Sequence, residues 1–170
     1  MVLFRRMKKR SKNSILHMLQ VVWYYADHRR GKMIQFCTMT VIANCIGLFS
    51  TVVIGWIFND VQSAVNDPAL FAKIAWLMLF VIFLDFLFWA FHGPSRLIER
   101  RNAFLVRHNF RKDVVSKVID LPVEWHKNHH SGDTIDKINQ ASDDLHDFAS
   151  SIFQIVENSV RLFGATIILL

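Results

Sequence analysis

Three imidazoles fall within five residues at His126-Lys127-Asn128-His129-His130, an H-x-x-H-H spacing. Neutral imidazole suits iron or zinc, so this run can supply at most three nitrogens to a metal. A working centre needs more ligands converging on the same point. The other histidines, His17, His28, His92, His108 and His146, are isolated from one another. A second chemical feature is Asp85, the one charge inside an apolar block from Ile74 to Phe91. A carboxylate at membrane depth is costly to hold, so Asp85 is a candidate for an intramembrane functional role. Nucleotide chemistry is absent from this chain. A phosphate-cradling loop requires Gly-x-x-x-x-Gly-Lys-Ser/Thr, and Gly31-Lys32 lacks both the upstream glycine and the hydroxyl residue. No catalytic residue and no metal site is assigned, and the chain is expected to hydrolyse nothing by itself.

These groups are positioned by an all-α membrane scaffold. Hydrophobic residues make up 52% of the chain and concentrate in blocks. Met33 to Phe58 carries no charge, and as a helix it reaches ~39 Å, enough to cross a ~30 Å hydrocarbon layer with tilt. A third apolar run starts at Leu162 and continues to Leu170. The net charge of +6 is unevenly spread: Lys and Arg cluster before Met33 and again in 96–137, while Asn59–Ala72 contains Asp60 and Asp67 and no cation. That is the positive-inside pattern. It puts the N-terminus in the cytoplasm, makes anionic lipid head groups the neighbours of the basic runs, and argues against nucleic acid as a partner. Cys37 and Cys45 lie within the first span and read as small apolar residues.

The expected organisation runs as follows. Residues 1–32 form a basic cytoplasmic tail and an interfacial elbow helix. Residues 33–58 are the first span, 59–69 an external loop and 70–92 the second span. Residues 93–161 form a cytosolic helical hairpin with its tip at 122–132, and 162–170 begin a third span. In the elbow, Ile15, Leu16, Leu19, Val22, Trp23 and Ala26 share one helical face. In the first span, Ala43, Gly47, Thr51 and Gly55 stand four apart, a small-residue stripe that admits a close helix partner. The descending arm carries Val106, Phe110, Val114 and Val118 on one stripe. The ascending arm carries a heptad seam through Ile138, Ala141, Leu145, Phe148, Ile152, Ile155, Ser159 and Leu162, with Glu157 and Arg161 paired four apart. Each arm is ~43 Å long if helical. Pro122 ends the first arm, and Ser131 is placed to cap the second.

This arrangement resembles the transmembrane domain of type-1 ABC exporters. The likeness rests on the elbow, the short outer loop, the matched arms and the tip residues. Leu121-Pro122, Trp125-His126 in the place of an aromatic pair, Ser131-Gly132-Asp133, Lys137-Ile138, Asp143 and Leu145 follow the family's tip pattern in register. His126 replaces the second aromatic, and Ala141 sits where an Asp is usual. The resemblance implies that Glu124, Trp125, His126, Lys127, Asn128, His129, His130, Ser131, Gly132 and Asp133 couple the membrane domain to a nucleotide-binding domain. That domain would belong to the same or a partner chain. A second transmembrane half is implied, as homodimer or heterodimer. ATP and Mg are implied for the intact transporter, with no cofactor in this chain, and the location is an integral membrane protein of a bacterial-type inner or plasma membrane. The family carries six spans, so ending at Leu170 marks an expected N-terminal fragment. Two alternatives stand beside this reading: a small membrane hairpin that recruits a cytosolic partner, and a fragment of a histidine-box di-iron oxygenase.

Overall fold

The computed structural model describes residues 14–63 and 68–169. The tail 1–13, Asp67 of the outer turn and Leu170 lie outside the described residues. Helix α1 spans Ser14–Tyr25 and is followed by a 3-10 turn, Asp27–Arg29. Helix α2 is Arg30–Ser63, α3 is Pro68–Ile119, the short α4 is Val123–Asn128, and α5 is Ser131–Leu169. Among the described residues there is no strand. Three helices, α2, α3 and α5, are long and apolar enough to cross a membrane. Asn59 to Ser63 continue α2, and Gly93-Pro94 lies inside α3 without ending it. Asp27 sets the elbow: its φ of 43° is in the left-handed region, which Asp tolerates better than most residues.

The described residues form two compact units. One joins the chain up to Met33 with Glu99–Ile152. Its antiparallel register is fixed by the ion pair between Arg107 and Asp143. Its core is Val21, Val22, Ala26 and Met33 with Ala103, Val106, Ile138, Leu145, Ala149 and Ile152. The stripe expected at Val106, Phe110, Val114 and Val118 faces inward. The seam on α5 is rotated from expectation. It runs Ile138, Ser142, Leu145, Ala149, Ile152, so Ser142 and Ala149 take the places expected for Ala141 and Phe148. Ser142 enters the core because its hydroxyl donates to the Ile138 carbonyl of its own helix at 2.6 Å, leaving no unsatisfied donor. The elbow also divides differently. Val21, Val22, Tyr25 and Ala26 pack on the arm, while Ile15, Leu16 and Trp23 are exposed. Trp23 instead lies under the Arg30 guanidinium at 5.8 Å.

The other unit holds Ile34–Ile98 with Phe153–Leu170. Here α2 buries Phe36, Thr40, Ala43, Asn44, Ser50 and Val53. Polar residues fit this face because their own helix satisfies them: Thr40 donates to the Phe36 carbonyl at 2.8 Å and Asn44 to the Thr40 carbonyl at 2.9 Å. The register against α3 follows from Thr40 beside Ser95 at 2.7 Å, Phe88 against Gly47, and Lys73 to Asp60 at 2.8 Å. The two hydroxyls of Thr40 and Ser95 share the Phe36 carbonyl, which Ser95 reaches at 2.9 Å. On α5, Arg161 pairs with Glu157 at 2.7 Å and its Nε donates to Asn44 at 2.9 Å. Most of the apolar surface remains uncovered, including Phe71, Trp76, Phe86 and Leu169, as expected of helices that meet lipid or further spans.

Candidate functional site

The tip is built by backbone capping. The last turn of α3 closes with the amides of Asp120 and Leu121 donating to Ser116 and Val118, each at 3.2 Å. Pro122 follows in an extended conformation, φ −59° and ψ 151°, and its carbonyl accepts the Trp125 amide at 3.0 Å. Proline here stops one helix and starts the next, since its fixed φ suits the entry to α4 and its missing N–H is not needed. Glu124 lies in the first turn of α4 and Lys127 in the last, both matching the helix dipole.

His129 closes the tip. Its ring stacks on Trp125 with centroids 4.3 Å apart and planes 10° apart. Its Nδ1 lies 2.9 Å from the Trp125 carbonyl oxygen. A carbonyl only accepts, so Nδ1 carries a proton and donates it here. The His130 carbonyl accepts the Thr134 amide at 3.2 Å. Ser131 is therefore the first helical residue of α5, one place beyond the cap position expected for it. Asp133 pairs with Lys137 at 2.7 Å, and the hydrogen bond from Lys137 holds its carboxyl below the usual range. Beside the tip helix lies an open groove of about 270 Å³, lined by Phe110, Val114, Trp125, His129, Lys137 and Ile138 among others.

Of the ten tip residues, Trp125 is half-buried and the other nine are exposed. Trp125 is the anchor, and Glu124, His126, Lys127, Asn128 and His130 to Asp133 project from it. No atom lies within 4 Å of a Cβ built on Gly132. Among the described residues no group of three His, Cys, Asp or Glu side chains converges as a metal site, and His129 is committed to Trp125 through its ring face and its Nδ1.

A second element near this site was not legible in the sequence. The Tyr25 hydroxyl donates to Asp113 at 2.7 Å, and Lys117 donates to the same carboxylate at 2.6 Å. Asn109 donates to the Tyr25 backbone carbonyl at 2.9 Å, covering a carbonyl at the end of α1. Tyr25 also meets Phe110 edge-on, with centroids 5.4 Å apart. Burial, then the hydrogen bond to Asp113, pushes the Tyr25 hydroxyl well above the ordinary tyrosine range. Burial alone would raise Asp113, but the hydrogen bonds from Lys117 and Tyr25 outweigh it and hold the carboxyl low. The only sequence signal was Asp113 and Lys117 standing four apart.

Of the small-residue stripe, Ala43 is buried, Gly47 faces Phe88, and Thr51 and Gly55 are exposed. Asp85 is exposed, while Leu84 beside it is buried. His92 stacks on Phe88 at 4.9 Å and meets Phe153 edge-on at 5.6 Å.

A model of the ABC transporter transmembrane region matches residues 33–170. The chain belongs to that family. The resemblance read from the tip residues is thereby borne out, as is the all-α membrane bundle. As an ABC membrane domain the chain is an integral membrane protein, and its family works together with nucleotide-binding domains. The match begins at Met33, so α1 precedes the matched region. No curated protein and no solved structure gives a comparable match.

Proposed function

We propose that this ABC membrane domain belongs to an ATP-driven exporter and that the tip 122–132 docks on a nucleotide-binding domain. The observation that carries the reading is the tip itself. A six-residue helix is held at both ends by its own backbone and by the His129–Trp125 stack, with His126 edge-on to Trp125 and Glu124, Lys127 and Asn128 exposed. Such a surface is preorganised and costs little ordering entropy on docking. Glu124, His126, Lys127, Asn128, His130, Ser131 and Asp133 supply its polar contacts, Trp125 and His129 its shape, and Gly132 its close approach. ATP and Mg would bind in the nucleotide-binding domain, and closure of two such domains would push on the tips. The long helices α3 and α5 are the levers. The working unit pairs this domain with a second transmembrane half, identical or not, in a bacterial-type inner or plasma membrane.

The register inside the spanning unit orients it in the bilayer. Asn44 and Arg161 stand at one level with His92, and Asp60 with Lys73 at another. The separation is ~24 Å along α2 and ~29 Å along α3, shorter than the first span of residues 33–58, so the Asn44 level lies within the cytoplasmic half of that span. The cytoplasmic side is the Asn44 level, because Arg96, Arg100 and Arg101 follow it on α3. The N-terminus is then cytoplasmic.

The experiment is site-directed crosslinking. Cysteines at Lys127 and His130 should crosslink to the nucleotide-binding domain in native membranes, and Trp125→Ala should uncouple ATP hydrolysis from transport. Absence of crosslinks together with unaltered transport in Trp125→Ala would overturn the reading.

A further inference from the structure

The arm formed by α5 carries two seams and buries one. Both run through Ile138, Leu145 and Ile152, which stand seven apart. The buried seam adds Ser142 and Ala149, leaving Ala141 exposed and Phe148 half-buried. At 3.6 residues per turn the two seams are centred ~40° apart around the helix. The buried seam carries a strain on its far flank. There the Asn139 Oδ1 and His146 Nδ1 atoms are buried with no hydrogen-bond partner among the described residues. A buried polar atom left unpaired has lost its water and gained nothing in return. Asn139 and His146 are themselves seven apart, on the side of α5 away from Ala141 and Phe148. Turning the helix by ~40° would carry both atoms out to water and bring Ala141 and Phe148 inward. Ser142 would not resist, because its hydroxyl is bonded to the Ile138 carbonyl of its own helix and travels with it.

The surroundings leave room for that turn. The open groove of about 270 Å³ lies on the Ala141 side, between Ile138 and Ala141 of α5 and Phe110 and Val114 of α3. Farther up the arm, the Arg107–Asp143 register sets the small, buried Ala103 at the level of residue 147, beside Phe148. One contact opposes the turn. Asp143 shares the flank of Asn139 and His146, so rotation draws it away from α3 and parts it from Arg107. The two side chains are 37% and 52% exposed, and an ion pair that open to water is a weak latch. Packed side chains interdigitate, so a helix with two seams has two discrete positions rather than a graded range.

We propose that the α5 arm is a rotary switch with two seam positions, latched in the observed one by Arg107 and Asp143. Because α5 is one helix from Ser131 to Leu169, a turn in the arm reaches both its ends, at the tip and in the third span. Use of the turn in transport rests on the coupling reading above; the two positions themselves do not. The experiment measures thiol labelling by a charged methanethiosulfonate on the protein in lipid nanodiscs, with Cys37→Ala and Cys45→Ala as background. The probes are Ala141→Cys, which should react fast, and Ala149→Cys, which should react slowly. Adding Asp143→Asn should raise the Ala149→Cys rate relative to the Ala141→Cys rate by up to about fivefold. Adding Asn139→Leu with His146→Leu should lower that ratio, since the observed position then hides no unpaired atom. Adding Ser142→Glu should reverse the pattern, with Ala149→Cys fast and Ala141→Cys protected, because the observed seam cannot bury a carboxylate. A ratio that stays fixed in the first two variants would overturn the proposal. So would Ser142→Glu with both probes fast, which is an opened arm with no second position. Loss of the tip crosslinks would leave a reversed labelling pattern standing, and a single seam position would leave the tip crosslinks standing.

Discussion

Gly132 offers the cleanest separation of folding from docking. It is the second residue of α5, and no glycine among the described residues has a positive φ. A Cβ there would meet nothing within 4 Å. Within the chain, then, Gly132→Ala has only a backbone effect: it removes unfolded-state freedom and stabilises by up to about 1 kcal/mol. That corresponds to a rise in melting temperature of up to about 2–4 °C for a chain of this size. Docking moves the opposite way. If a nucleotide-binding domain closes onto the bare backbone at Gly132, an added methyl is an overpacking change of about 1–3 kcal/mol, which weakens the docked state roughly 5- to 150-fold. The assay pairs a thermal melt of the variant in nanodiscs with titration of the nucleotide-binding domain and its ATPase rate. A melt that rises while docking weakens supports the coupling role. A melt that rises with docking and ATPase unchanged would refute the docking geometry, and a melt that falls would refute the structural premise.

Gly164→Ala should behave oppositely to Gly132→Ala, since its Cβ would run into Leu48. It should destabilise by about 1–3 kcal/mol, and a thermal melt of the double variant with Leu48→Ala should recover part of the loss. Tyr25→Phe removes the hydrogen bond to Asp113 and should cost about 1 kcal/mol by melting. The folded-state ionisation of Tyr25 lies above its unfolded value. Its contribution is therefore fully present below the ordinary tyrosine pKa and is lost as pH rises through the folded value. A pH series of melts should show a flatter alkaline limb for Tyr25→Phe. Asp113 is depressed, so its contribution is present above the ordinary Asp pKa and fades as pH falls through the lower folded value; Asp113→Asn should flatten the acid limb. Asn44→Leu leaves Arg161 with Glu157 alone and should cost about 1–3 kcal/mol in the melt.

What the sequence reveals follows from which signals are periodic. The three long helices, the stripe through Val106, Phe110, Val114 and Val118, and the Glu157–Arg161 pair were all readable, because each repeats at helical spacing. The α5 seam was readable only to within one residue. Steps of three and four admit two registers through Ile138, Leu145 and Ile152, and hydrophobicity favoured Ala141 and Phe148. The structure takes Ser142 and Ala149, because a serine bonded to its own helix is small and satisfied, a property that hydropathy does not score. Similarly, the small-residue stripe at Ala43, Gly47, Thr51 and Gly55 shares only its first two members with the face that α2 turns toward α3 and α5. Thr40, Asn44 and Ser50 fill the rest, and their polarity masks their burial. The Tyr25–Asp113 contact joins residues 88 apart in sequence, so no local pattern announces it. At the tip, composition and Pro122 marked the turn, but the start of α5 at Ser131 rather than after it depends on which carbonyl the Thr134 amide finds.

Tyr25 is tied to α3 twice, by its hydroxyl through Asp113 and by its carbonyl through Asn109. Both ties are at Tyr25, so the C-terminal end of α1 cannot slide along its support. Displacement of that stretch of α3 must therefore carry α1 with it, and α1 turns Ile15, Leu16 and Trp23 outward. If those side chains float in the head-group layer, the elbow is an outrigger rather than a mooring. On the coupling reading proposed above, each stroke of the arm would drag it through viscous lipid, and membrane fluidity would become a mechanical load on the transport cycle.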